Sequence, residues 1–139
     1  MGLVRGELAG HLRRHRGRLT PQRALICDLL EGNAEHPSAE SLHRRAVAVM
    51  PTLSLRTVYA ILHELSEIGV VQPLDLGTGS ARFDPDTRPH HHAVCARCGR
   101  VRDIQMDAAP VEIPPDQQQG FWVRRVDLIF RGLCQECRR

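Results

Sequence analysis

Four cysteines form two Cys-x-x-Cys pairs, Cys95/Cys98 and Cys134/Cys137. A two-residue gap lets both thiolates of a pair face one ion, and two such pairs supply the four sulfurs of a closed tetrahedral zinc site. The opening residues Met-Gly-Leu-Val-Arg-Gly-Glu lack the apolar core of a secretory signal, so a reducing cytoplasm is the expected setting and disulfides are not the expected use. A thioredoxin-like dithiol and a chance spacing are the competing readings. Gly99, directly after Cys98, favours the metal, because it lets the chain turn back so that amide groups approach sulfur. The fifth cysteine, Cys27, sits among Leu25, Ile26, Leu29 and Leu30 and reads as a core residue.

A second constellation is His90-His91-His92, just before Cys95 in a strand-like stretch. Side chains alternate across a strand, so His90 and His92 share one face while His91 and Cys95 share the other. Imidazoles at i and i+2 can chelate one ion, with Asp84 upstream and Asp103 downstream as sources of carboxylate oxygen. Such a nitrogen and oxygen set suits Fe(II), Mn(II) or Zn(II). The competing reading is a surface histidine cluster with no native metal. His91 is expected to face solvent or to support the ligands rather than to bind the ion.

These residues need elements to hold them. Thr20-Pro21 is an N-cap followed by proline at the first helical position, which predicts a helix to about Glu31, stopped by Gly32-Asn33. Ser38 caps a second segment in which Leu42, Ala46, Val49 and Met50 recur at helical spacing, ended by Pro51. Ser54 caps a third, with Leu55, Val58, Leu62, Leu65 and Ile68 as one apolar stripe, Gly69 as the stop, and Arg56, Thr57, Ala60, His63 and Glu64 on the opposite face. Two short apolar runs, 70–76 and 80–83, flank Gly77-Thr78-Gly79 and predict a hairpin. Helices followed by a two-stranded wing make a winged helix-turn-helix, with 54–69 placed to enter a major groove. The polar, proline-bearing run 84–89 reads as a hinge. Beyond it, 90–95, 100–105 and 121–132 read as strands, Trp122, Val126, Leu128 and Phe130 alternating along the last. The expected organisation is therefore an α+β chain, with a DNA-binding domain over 1–83, a hinge over 84–89 and a small α/β domain over 90–139.

At 139 residues and 42% hydrophobic content, the chain is large enough for one or two small domains and too small for a large enzyme core. No apolar run reaches the roughly 18 residues of a membrane helix. The formal net charge is only +3, and every one of the 19 basic residues is arginine. Residues 1–25 hold six of these arginines (Arg5, Arg13, Arg14, Arg16, Arg18 and Arg23) against the single acid Glu7, whereas 26–72 hold three against six acids. A basic segment opening a helical domain is suited to phosphate contacts, with a solvated charge run as the plain alternative.

The combination of Arg18-Leu-Thr-Pro-Gln-Arg23, Ser54-Leu-Arg-Thr-Val-Tyr59, His90-His-His-Ala-Val-Cys95-Ala-Arg-Cys98-Gly99 and Cys134-Gln-Glu-Cys137 resembles the ferric uptake regulator (Fur) family of bacterial metal-responsive repressors over nearly the whole chain. The resemblance implies a cytoplasmic homodimer that binds double-stranded operator DNA, with an N-terminal winged helix and a C-terminal α/β dimerisation domain. Zn2+ on Cys95, Cys98, Cys134 and Cys137 would be structural. The family's regulatory ligands fall on His36, Asp84, His90, His92 and Asp103, for Fe2+ or Mn2+. Iron-sensing members usually have glutamate at the positions of Asp84 and Asp103; aspartate at both, with three histidines, is similar to the peroxide-sensing PerR branch. In that branch Fe(II) reacts with hydrogen peroxide and oxidises a ligand histidine, which makes His36 and His90 the candidate targets. DNA contacts are implied for Arg18, Arg56, Thr57 and Tyr59.

Two departures stand out. Where the family commonly has Arg or Asn after the tyrosine of the recognition helix, this chain has Ala60, which shifts base readout toward Arg56 and Tyr59. The stretch from Ala109 through Pro110 to Pro115 is short and proline-rich, so the family helix between the second and third strands of the dimerisation domain is expected to be reduced or absent. The alternatives to peroxide sensing are an iron, manganese or zinc uptake regulator without peroxide chemistry and a small metalloenzyme on the His/His/Asp face. The chain shows no nucleophile and base constellation for the latter, so no enzyme activity is expected.

Overall fold

The computed structural model describes residues 6–33, 35–107 and 111–139. Arg5 of the basic run and Ala109 and Pro110 of the proline-rich stretch lie outside the described residues. The chain divides into two compact units, Met1–Arg88 and Pro89–Arg139.

The first unit is built from α1 (Glu7–Arg16), α2 (Pro21–Leu30), α3 (Ala39–Val47), α4 (Leu55–Glu67) and a hairpin of β1 (Gln72–Leu74) and β2 (Arg82–Asp84). Three of the four helices start as the sequence predicts: the Thr20, Ser38 and Ser54 side chains accept the backbone N–H of Arg23, Ser41 and Thr57. The apolar stripes of α2, α3 and α4 close over one core containing Ile26, Leu30, Leu42, Val58, Leu62 and Leu65. Cys27 belongs to that core, and burial pushes its thiol up to about 12.

Helix α1 was not among the predicted elements, because its ten residues carry few apolar positions. Leu8 and Leu12, one turn apart, are fully buried and suffice to dock it. Its start has no side-chain cap of its own. Glu31, at the end of α2, supplies one by accepting the N–H groups of Gly6 and Leu8. Helix α3 ends at Val47, ahead of Pro51, and Val49 is exposed rather than part of the stripe. Asp84 belongs to the wing, not to a hinge: antiparallel pairing sets it opposite Gln72 as the last residue of β2.

The second unit centres on β3 (His91–Cys95), flanked by β4 (Val101–Ile104), antiparallel, and β5 (Ile129–Gly132), parallel. A parallel partner requires a long crossover. Residues 105–128 provide it, with a single-turn helix α5 (Pro115–Gln118) as the element between β4 and β5 among the described residues. The proline-rich stretch thus leaves a reduced helix. The expected strand over 121–132 contracts to 129–132, the part whose residues pair in register with β3. Phe121 and Trp122 are exposed.

Candidate metal centres and nucleic-acid interface

In the second unit, β3 delivers Cys95 to a turn that returns at Gly99, whose φ of 73° is the left-handed conformation the turn needs. Beyond β5, the chain brings Cys134 and Cys137 to the same place, and the four sulfurs lie within 4.8 Å of one another. Cys98 Sγ and Cys134 Sγ are 3.8 Å apart. Four sulfurs at about 2.3 Å from a tetrahedral zinc stand about 3.8 Å from each other, so the cluster fits the ion. Backbone amides of Cys98 and Cys134 point at Cys95 Sγ from 3.5 and 3.4 Å, and they pull its thiol down to about 6. The Cys134 thiol is also lowered, chiefly by the Cys137 amide. Cys137, hydrogen-bonded to Cys134 and facing these negative neighbours, is pushed up to about 12.

The same unit carries a nitrogen and oxygen set. Register pairs His92 with Asp103 across β3 and β4. Asp103 Oδ1 lies 3.2 Å from His90 Nε2 and 3.6 Å from His92 Nε2, and the two rings meet edge to face with centroids 4.6 Å apart. Both imidazoles are buried. Neighbouring ligands on an octahedral ion at about 2.1 Å stand about 3.0 Å apart, and on a tetrahedral one about 3.4 Å, so this spacing accommodates either geometry.

Of the two roles expected for His91, the solvent-facing one fails. The residue is buried and outside the His/Asp group, and its Nδ1 accepts the backbone N–H of Leu128 at 3.0 Å. The imidazole therefore anchors the chain entering β5. A run of three histidines carries no sign of this, because the donor lies 37 positions away.

In the first unit His36 Nε2 lies 3.1 Å from Asp84 Oδ2, both residues being buried. His36 holds a left-handed backbone, φ 53°, which costs a non-glycine residue about 1 kcal/mol or more and is tolerated where the surroundings fix it. Those surroundings are visible: the Arg82 guanidinium donates to the His36 carbonyl, Phe83 N–H to the Pro37 carbonyl, and Ser38 bridges Arg82. The wing strand that ends at Asp84 thus holds the loop that carries His36.

On α4, Arg56 and Tyr59 are exposed, whereas Thr57 Oγ1 is engaged with Ser54 Oγ at the helix cap. Arg18 is exposed between α1 and α2. The basic run is less available than its sequence suggests. Arg23 makes a two-pronged contact with Glu64, both bonds at 3.0 Å, and Arg16 bonds Glu67 at 2.6 Å.

Comparison with known proteins places this arrangement. Residues 15–130 match the model of the ferric uptake regulator family. This chain belongs to that family. It is 36% identical over 121 residues to the peroxide operon regulator of Bacillus subtilis (strain 168), covering 86% of this chain and 83% of the relative. It is 33% identical over 135 residues to the peroxide-responsive repressor PerR of Staphylococcus epidermidis, covering 95% and 89%. Among solved family members, PerR from Streptococcus pyogenes superposes with a TM-score of 0.55 at 31% identity, covering 99% of this chain and 95% of that one. The Helicobacter pylori ferric uptake regulator, at 20% identity and a TM-score of 0.76, shares the fold. Winged helix and small α/β domain are thus the family architecture, as the sequence predicts. No helix among the described residues is long and apolar enough to cross a membrane.

Proposed function

We propose that this chain is a cytoplasmic, metal-dependent transcriptional repressor that binds operator DNA as a homodimer and senses hydrogen peroxide through oxidation of a ligand histidine. The observation that carries the reading is the pairing of buried imidazoles with aspartates in both units, His36 with Asp84 and His90 and His92 with Asp103. Two or three donors leave a five- or six-coordinate ion short of ligands, so we assign all five to one regulatory Fe2+ or Mn2+ and the four cysteines to structural Zn2+. Ligands drawn from both units couple ion affinity to the arrangement of the units, and the ion then favours whichever arrangement it fits best.

The roles of the chain's own groups follow. His36, His90 and His92 are withdrawn from water, so an oxidant generated beside them meets imidazole before solvent. A bound Fe(II) would supply the one-electron step that breaks the peroxide O–O bond. In the net reaction peroxide would be the two-electron oxidant: one of its oxygens would replace a ring hydrogen of His36 or His90 and the other would leave as water. The modified ring would lose donor strength, and with it the bias toward DNA binding. Arg18 and Arg56 contact phosphate or guanine, and Thr57 and Tyr59 face the groove from α4. The dimer reading is supported by β5, an edge strand whose Ile129 and Phe130 are exposed, as are Phe121 and Trp122 in the segment before it: apolar surface that a second copy would cover.

The test compares anaerobically prepared Fe(II) and Mn(II) protein before and after peroxide. Operator affinity of the Fe(II) form should fall in step with a one-oxygen mass gain in the tryptic peptide 24–44, which contains His36, or 83–97, which contains His90. The Mn(II) form should keep both its mass and its affinity. His43, also in the first peptide, should stay unmodified. Equal loss in both forms, or oxygen on cysteines only, would refute peroxide sensing in favour of an iron, manganese or zinc uptake regulator.

A further inference from the structure

The Tyr59 phenol is tethered. Its hydroxyl donates to Glu40 Oε1 at 2.5 Å, which ties α4 to the first turn of α3. Negative charge is favoured there by the helix dipole. The bond to Tyr59 holds the Glu40 carboxyl below the usual carboxylate range, and the same carboxylate holds the phenol above its ordinary value. At neutral pH the pair is thus a carboxylate and a neutral phenol. A phenol has one proton to give. With that O–H directed at Glu40, the exposed side of the oxygen offers only lone pairs.

We propose that Glu40 is a specificity-determining positioning residue: by engaging the Tyr59 proton it presents the phenol oxygen to the major groove as an acceptor, and so selects a base edge bearing an exocyclic amino group. In the major groove those edges are adenine N6 and cytosine N4, whereas guanine and thymine show acceptors there. The inference rests on the reading of α4 as the groove helix and of Tyr59 as a base contact. Glu40 itself need touch no DNA. Its negative charge near the phosphates weakens binding to all sequences alike, while its grip on the phenol discriminates among them.

The experiment uses the full-length Mn(II)-loaded protein and selection from random duplexes, with Y59F, E40A and E40Q alongside. Comparing wild type with Y59F locates the base pair whose preference depends on the hydroxyl. There wild type should favour an amino-bearing base, and the analogue lacking that group (purine for adenine) should weaken binding about threefold to tenfold, with no such effect in Y59F. E40A should lose the preference as Y59F does. E40Q, whose amide oxygen can still accept the phenol proton, should restore it. Both Glu40 variants drop one negative charge and should gain affinity for every sequence equally, a factor that cancels in the ratio between sequences. E40A keeping the wild-type preference while Y59F loses it would overturn the Glu40 role and leave α4 in the groove. Neither Y59F nor Y59A altering affinity or preference would overturn the groove reading of Tyr59 and this inference with it. Should E40A not fold, the base analogue on wild type and Y59F still decides: a hydroxyl-dependent preference for an acceptor-only edge refutes the proposal.

Discussion

Replacing Cys95 by serine should damage the zinc site more than replacing Cys137, although each removes one of four sulfurs. Binding at a structural zinc is worth roughly 10–16 kcal/mol at neutral pH, so one ligand in four corresponds to about 2.5–4 kcal/mol, or roughly two to three orders of magnitude in zinc affinity. The structure then separates the two positions. Cys95 receives the amides of Cys98 and Cys134, which lower its thiol and stabilise the thiolate that a zinc ion would bind. Cys137, whose thiol is raised by its hydrogen bond with Cys134, holds its proton more tightly and must release it to bind. Its net contribution at pH 7 is therefore smaller, and that of Cys95 larger, than the even share. Competition with a chromophoric chelator at pH 7 reads both affinities, with metal analysis for stoichiometry. Raising the pH should narrow the gap, because deprotonating Cys137 then becomes less costly. Cys137→Ser losing as much affinity as Cys95→Ser, or Cys95→Ser keeping stoichiometric zinc against the chelator, would refute the argument.

Cys27, whose folded value is raised from 9.0 to about 12, binds its proton more tightly in the native than in the unfolded chain, so its contribution is complete below pH 9 and is lost as pH rises toward 12. Wild-type unfolding free energy should fall relative to Cys27→Ala by up to about 1.4 kcal/mol per pH unit in that window, and parallel denaturation curves would exclude this linkage. Arg23→Ala should cost about 1–2 kcal/mol in urea unfolding, because the two-pronged contact with Glu64 is mostly shielded, while Arg16→Ala, in a half-exposed pair, should cost about 0–1 kcal/mol. Equal losses would mean that shielding does not set the difference. His91→Phe should destabilise the protein by about 1–3 kcal/mol through the orphaned Leu128 N–H, with hydrogen exchange faster at the start of β5. Unaltered exchange there would refute the anchoring role.

Much of this protein is legible in its sequence, because short-range chemistry is written in short-range spacing. Caps at Thr20, Ser38 and Ser54 precede their helices in the sequence and do so in the structure. The two Cys-x-x-Cys pairs need no fold to suggest a common ion, and alternation along β3 is enough to set His90 and His92 on one face. Other features depend on residues far apart in the chain. Helix α1 is held by two leucines and by Glu31, 23 positions beyond the amide of Leu8 that it accepts. The extent of β5 follows from which residues pair in register with β3, and the alternation over 121–132 overstates it. The basic run loses Arg16 and Arg23 to acids on α4, and the Tyr59 hydroxyl donates to Glu40 on α3, as only packing can reveal. Composition and period record what each segment can do alone; which donor meets which acceptor across tens of residues is settled when burial brings the segments together and leaves each polar group to find a partner.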